Sequence, residues 1–374
     1  MHSPARRITA ILVSAATVAA AVALLAPAAG AVPQAKTKTV KVEIDDDGCP
    51  ATLKAKAGPV TFEVENTGSG EVSEFEVLSG NRIIGEIENV APGLTREFSL
   101  TLKAGRYTTY CPGGDREKGR LTVTGTADTR LTGAEQTAVD TYRAYLVDQA
   151  AQLVALTKTF TTAVDAGDVE GAKAAYVAAR MPYERIEPVA ETFGDLDPKI
   201  DAREGDVPAK DWEGFHKIEQ ALWVDGSTAG LTEVTADLNE DVQTLANLIP
   251  DVELQPAGIA NGAVELLNEV SASKITGEEE RYSHTDLDDF QANVEGSQAA
   301  FEAVKPLLAA KKADLADDID AEFAAVFTAL APYKAGATFV SYTTLTKDDT
   351  KALAQVVDTL AESLSQVSKQ VVSQ

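Results

Sequence analysis

The sequence predicts an all-β sandwich followed by an all-α domain of two stacked helical bundles. Three observations carry that expectation. From Thr39 to about Thr126, apolar residues alternate with polar ones at period two. From Ala134 onward the chain is rich in Ala, Leu, Glu and Lys at the period of amphipathic helices. Between the two stretches, residues 127–133 read as a linker, which sets domains over 39–126 and 134–374.

Ahead of both domains, residues 1–31 read as an export signal. Arg6 and Arg7 form a basic start, Ile8 to Leu25 is almost wholly apolar, and Ala29-Gly30-Ala31 suits a signal peptidase. The Arg6-Arg7 pair also fits twin-arginine export. No cysteine follows the apolar run to carry a lipid, and no later stretch approaches the ~18 apolar residues of a membrane helix. The mature chain is therefore expected outside the cytoplasm, in the periplasm or at the outer face of the envelope, with only His216 and His284 left.

In the sandwich, Val40, Val42 and Ile44 alternate with polar residues, as do Val60, Phe62 and Val64, and Phe98, Leu100 and Leu102. Turn signals such as Gly58-Pro59, Ser79-Gly80-Asn81 and Pro112-Gly113-Gly114 separate these runs. Short strands at this spacing point to a β-sandwich. Beyond Gly133, helices are expected over 134–165, 169–193, 211–223, 229–248, 256–272, 285–311, 313–334 and 346–372. Pro182 and Pro188 should kink or break the second of them.

Composition narrows the function. The formal net charge is −25, which argues against a nucleic-acid partner and surrounds the chain with a field that attracts cations. The stretch from Tyr183 to Glu219 shows where cations would go. Glu184 and Glu187 stand i, i+3, as do His216 and Glu219, so on helices each pair shares one face. Facing pairs of that kind hold iron or manganese in helical bundles. Asp201 arrives from an acidic connection, and Glu191 is expected to lie outside the site. Arg185 and Arg203 are placed to offset repulsion among the acids, and His284 to cap a loop.

In the β domain, Ser73-Glu74-Phe75-Glu76-Val77 and Tyr110-Cys111-Pro112-Gly113-Gly114 resemble the cupredoxin-like family. That family's copper sites need two histidines around the cysteine. Glu74 stands where the first would be and Gly114 where the second would be. The β domain has no histidine, which excludes a blue-copper electron carrier. Cys49, Glu74 and Cys111 remain. Two cysteines in an exported chain usually pair, whereas two thiolates with a carboxylate would suit copper or another thiophilic ion. Both readings stand at this point.

In the helical domain, Tyr183-Glu184-Arg185-Ile186-Glu187-Pro188, Asp201-Ala202-Arg203-Glu204, Gly214-Phe215-His216-Lys217-Ile218-Glu219 and the segment Lys274 to Asp286 together resemble the imelysin-like family. With a cupredoxin-like domain in front, the resemblance implies an extracytoplasmic metal-binding component of iron uptake. Its expected partners are a membrane iron permease and an extracytoplasmic haem peroxidase. It implies iron, ferrous or ferric, held by Glu184, Glu187, Asp201, His216, Glu219 and Glu279 of the Glu278–Glu280 run, and a β-domain site of Cys49, Glu74 and Cys111. Some members carry a methionine just before the last cysteine; this chain has Thr109 there.

The rival class is a metal-dependent peptidase, since imelysin-like chains have been grouped with such enzymes. Zinc peptidases place two histidines on one helix turn, as in His-Glu-x-x-His. This chain has no such motif, and Gln220 after Glu219 rules out the inverted one. A surface-binding role through Tyr183, Trp212 and Trp223 is the third class, against which those aromatics are expected to pack the bundle core. The expectation is a transport component and not an enzyme.

Overall fold

A computed structural model of the chain describes residues 38–272 and 274–372. The expected export signal, residues 1–31, lies outside the described residues. The β domain has eight strands: β1 (Lys38–Ile44), β2 (Thr52–Lys56), β3 (Gly58–Asn66), β4 (Phe75–Ser79), β5 (Arg82–Ile87), β6 (Thr95–Leu102), β7 (Gly105–Tyr110) and β8 (Lys118–Thr124). They form two sheets, in orders β1-β3-β6 and β2-β8-β7-β4-β5. β1 runs parallel to β3 and β2 parallel to β8, and the other pairs are antiparallel. The alternation read in the sequence is the inward face. Val42, Ile44, Val60, Phe62, Val64, Phe98, Leu100 and Leu102 are each 2% exposed or less. Phe62 and Phe98, opposite each other in register, stack at 5.1 Å between ring centroids.

Residues 125–132 carry no regular structure and are mostly exposed. The helical domain opens at α1 (Gly133–Asp165), whose start is set by a capping box between Thr132 and Glu135. There follow α2 (Val169–Glu184), α3 (Glu187–Glu191), α4 (Asp197–Asp201), α5 (Phe215–Gln220), α6 (Thr232–Leu248), α7 (Pro256–Ala272), α8 (Asp286–Ala309), α9 (Ala313–Leu330), α10 (Lys347–Ser365) and α11 (Val367–Val371). α7, α8, α9 and α10 pack in a closed ring, each against the next, while α1, α2 and α6 pack on the side where α8 meets α1 and α2. One apolar core runs through both groups.

Three expected helices are interrupted: the one over 346–372 breaks at Gln366 between α10 and α11, and two others break nearer the candidate site. The segment over 169–193 stops at Glu184 and restarts at Glu187, because Pro182 and Pro188 each remove a donor from the ladder. The segment over 211–223 is helical only from Phe215, then loosens into a π turn over Ala221–Asp225. Both irregularities flank the candidate site.

The domains dock despite the exposed connection. Asn261 Nδ2 on α7 donates to the Ser99 carbonyl on β6 (3.1 Å), and the Thr101 N–H donates to Gln255 Oε1 (3.1 Å). Lys103 pairs with Glu253 (2.7 Å) and Lys369 with Glu97 (2.8 Å) around the rim.

Candidate metal centre

Five short pieces of chain converge on one buried cluster. Gly214 permits the closest approach, since it sits at a φ of 85° with its Cα against the Ile200 carbonyl; a Cβ there would come within 2.3 Å of that oxygen. This brings the start of α5, with His216, against the end of α4, with Asp201. α2 supplies Glu184 from its last turn and α3 supplies Glu187 from its first. The loop before α8 supplies Glu279 and Glu280. Glu184, Glu280, His216 and Glu219 are all 1% exposed or less, and Glu187 and Glu279 are nearly so.

The imidazole is held at one nitrogen and offered at the other. His216 Nδ1 lies 3.0 Å from Glu219 Oε2. The other oxygen of Glu219 accepts the N–H groups of Tyr282 (3.0 Å) and Ser283 (2.7 Å), so this carboxylate also fixes the loop carrying Glu279. His216 Nε2 lies 3.5 Å from both Asp201 Oδ1 and Glu279 Oε1, and among the described residues it has no hydrogen-bond partner. Two ligands bound at about 2.1 Å stand about 3.4 Å apart across a tetrahedral angle. The spacing around Nε2 therefore fits ligands of one ion better than it fits hydrogen bonds.

The five acids and one imidazole named from the sequence are brought together, but in overlapping groups and not on one point. Asp201, His216 and Glu279 form one group; His216, Glu219 and Glu280 a second; Glu184, Glu187 and Asp201 a third. Two cations the sequence reading gave no role divide them. Arg180, fully buried on α2, pairs with Glu184 and Asp201, with Glu280 at 2.9 Å and Glu279 at 3.4 Å. Lys274 pairs with Glu184 at 2.6 Å and Glu187 at 2.7 Å. Arg180 stands four residues before Glu184, a spacing that puts both on one helix face and could have signalled the pair. Lys274 follows no comparable rule, because it sits on a short turn after α7.

Electrostatics separates the neighbouring glutamates. Burial alone would raise Glu279, but Lys274, His216 and Arg180 hold it well below the ordinary carboxylate range. Burial and the Glu219 charge push Glu280 up to about 8 against the pull of Arg180. The two neighbouring glutamates are thus pushed in opposite directions. Burial and Arg180 drive His216 down, yet Glu219, Glu279 and Glu280 outweigh them and lift it to about 9.

Other placements differ from expectation. Arg203 does reach the cluster, 3.2 Å from Glu279, whereas Arg185 pairs with Glu295 at 2.8 Å outside it. Glu191 joins Glu187 and Glu269 in an acidic group, apart from the group of Asp201, His216 and Glu279. His284, at a φ of 58°, accepts the Tyr342 N–H at its carbonyl and shapes a loop. Tyr183 and Trp212 are buried, and Trp223 packs on Tyr176 at 5.3 Å between centroids, so these aromatics serve packing.

The β-domain site is corrected. Cys49 and Cys111 form a disulfide, and sulfurs bonded to each other offer no thiolate to copper or any other ion. Glu74 turns instead to Glu86 and Glu88. Burial and the neighbouring Glu76 push Glu74 up to about 8, and burial with the charges of Glu74 and Asp197 pushes Glu88 up to about 7. A cavity of about 350 Å³ runs from Glu88 and Asn89 past Glu191, Asp197 and Glu269 to Asp201 and Glu279. Most of its charged lining is acidic, with Arg203 and Lys274 as the basic members.

A cupredoxin-like domain ahead of a helical domain with a buried His-x-x-Glu centre defines the class. Residues 14–123 match the cupredoxin-like domain family and residues 138–367 match the family described as imelysin, also designated peptidase M75. The chain belongs to the imelysin family. It is a homologue of the iron uptake system component EfeO of Escherichia coli (strain K12), 42% identical over 338 residues, which span 88% of this chain and 90% of that protein. The proteins of the same description from Shigella flexneri and Escherichia coli O157:H7 match at the same identity and coverage.

Proposed function

We propose that this chain captures iron at Asp201, His216 and Glu279 and passes it to a membrane permease, as the exported binding component of an iron-uptake system. The observation that carries the reading is His216 Nε2, buried, without a hydrogen-bond partner among the described residues, and spaced 3.5 Å from oxygens of Asp201 and Glu279, two residues that line an acidic cavity. Carboxylates are hard ligands and imidazole adds preference for transition metals, which together suit ferrous and ferric iron. Glu219 orients the ring from behind, as carboxylate partners of metal-bound histidines do. Arg180 and Arg203 keep the carboxylates ordered and offset their repulsion.

The described helices include none long and apolar enough to cross a membrane, so the permease is a separate chain in this scheme. A haem peroxidase working alongside is part of the same proposal, and it rests on the resemblance to iron-uptake components. Binding without catalysis is the role assigned. The metal would serve as cargo, and a single histidine with carboxylates does not reproduce the two-histidine zinc site of known peptidases.

Anaerobic titration of the mature protein with Fe(II), and parallel titrations with Fe(III), Zn(II) and Cu(II), test the proposal. His216→Ala should weaken iron binding by well over tenfold while leaving helicity unchanged. Wild-type affinity in that variant would refute the assignment.

A further inference from the structure

Glu184 and Glu187 do not face His216 Nε2. Their oxygens surround the ammonium of Lys274, which is 2% exposed, with Nζ at 2.6 Å from Glu184 Oε2, 2.7 Å from Glu187 Oε2 and 3.4 Å from Glu269 Oε2. Asn293 Nδ2 reaches the same two oxygens at 3.2 and 3.1 Å. The amide of Asn293 is fully buried, and its Oδ1 has no hydrogen-bond partner among the described residues.

Three carboxylates around one positive point are the donor set of a hard cation, and the Asn293 N–H groups brace two of them. Here a side chain supplies that cation. A lysine ammonium is compact and point-like, and it takes the position of an ion more closely than a guanidinium fork would. Lys274 reaches the position from a short turn over Lys274–Thr276, on the wall of the same cavity that leads to Asp201 and Glu279.

We propose that Lys274 is a specificity-determining residue. Its ammonium fills a second cation position beside the metal centre, keeps Glu184 and Glu187 from the cargo ion, and so limits the chain to one ion. The inference rests on the reading that Asp201, His216 and Glu279 hold iron. Removing the ammonium leaves buried carboxylates without their counter-charge, a destabilised state that a second bound cation would relieve.

The test compares full-length mature wild type, Lys274→Met and Lys274→Arg by anaerobic Fe(II) titration with metal analysis. Wild type and Lys274→Arg should bind one ion per chain. Lys274→Met should bind two, and adding Glu187→Gln should abolish the second. A Lys274→Met chain that binds one ion with wild-type affinity overturns the assignment, as does a second ion that survives Glu187→Gln. If Lys274→Met is unfolded without metal, Fe(II) should restore its melting transition with two ions bound, and failure of metal to restore it also overturns the assignment. A wild type that takes up no Fe(II) refutes the metal-centre reading itself, an outcome distinct from the others.

Discussion

At neutral pH His216 carries a proton that a bound metal must displace. Its pKa is lifted to about 9: burial and Arg180 act downward, and Glu219, Glu279 and Glu280 more than reverse them. A metal ligand must be the neutral ring, so below that pH each ion bound releases close to one proton from this residue. Linkage then raises apparent affinity about tenfold, roughly 1.4 kcal/mol, for each pH unit. Between about pH 6.5 and 8.5 the cumulative gain is about a hundredfold, whereas a histidine with an ordinary pKa of about 6.5 would level off over that interval. In the metal-free chain the same shift stabilises the fold: the contribution is fully present below about pH 6.5 and is lost as pH rises through about 9. Calorimetric titration with Zn(II), in buffers of different ionisation enthalpy, reads both the slope and the proton count. Glu219→Gln removes the Nδ1 partner and should move the end of the slope to lower pH. Affinity that is flat above pH 7, with no buffer-dependent heat, would refute the reasoning.

Three further outcomes follow from the packing. Arg180→Met strips a fully buried guanidinium from several carboxylates and should cost about 3–5 kcal/mol in denaturant unfolding, and a loss under about 1 kcal/mol would contradict its role. Cys49 and Cys111 should resist alkylation until reduced; closing a loop of 62 residues predicts that reduction lowers stability by about 4 kcal/mol, measured as the shift in urea midpoint. Glu86 and Glu265 are both held well above the usual carboxylate range by burial, with like charges adding to it. Their protonated state favours the fold below the unfolded pKa of about 4.5 and loses ground as pH rises, so Glu86→Gln with Glu265→Gln should raise Tm at neutral pH. A lower Tm in that pair would contradict the sign.

The fold was largely legible in the sequence because its signals are local. The period-two runs at Val60 to Val64 and Phe98 to Leu102 are strands β3 and β6, and the expected helix over 256–272 is α7 residue for residue. The interruptions were announced by Pro182 and Pro188. The π turn after Gln220 was not, since nothing in Ala221–Asp225 departs from a helical composition. At the site, the His216 and Glu219 pair could be read from spacing. Which atoms meet could not, because Lys274 and Arg180 reach Glu184 from different directions, across 90 residues in one case and four in the other. The choice between a disulfide and two thiolate ligands likewise depended on where Cys49 and Cys111 lie in space.

The central claim concerns a position in space, and iron-edge anomalous diffraction from iron-loaded crystals tests it directly. One strong anomalous peak should lie at about 2.0–2.2 Å from His216 Nε2, in contact with Asp201 and Glu279. A peak only among Glu74, Glu86 and Glu88, or none near His216 in iron-loaded protein, would contradict the account.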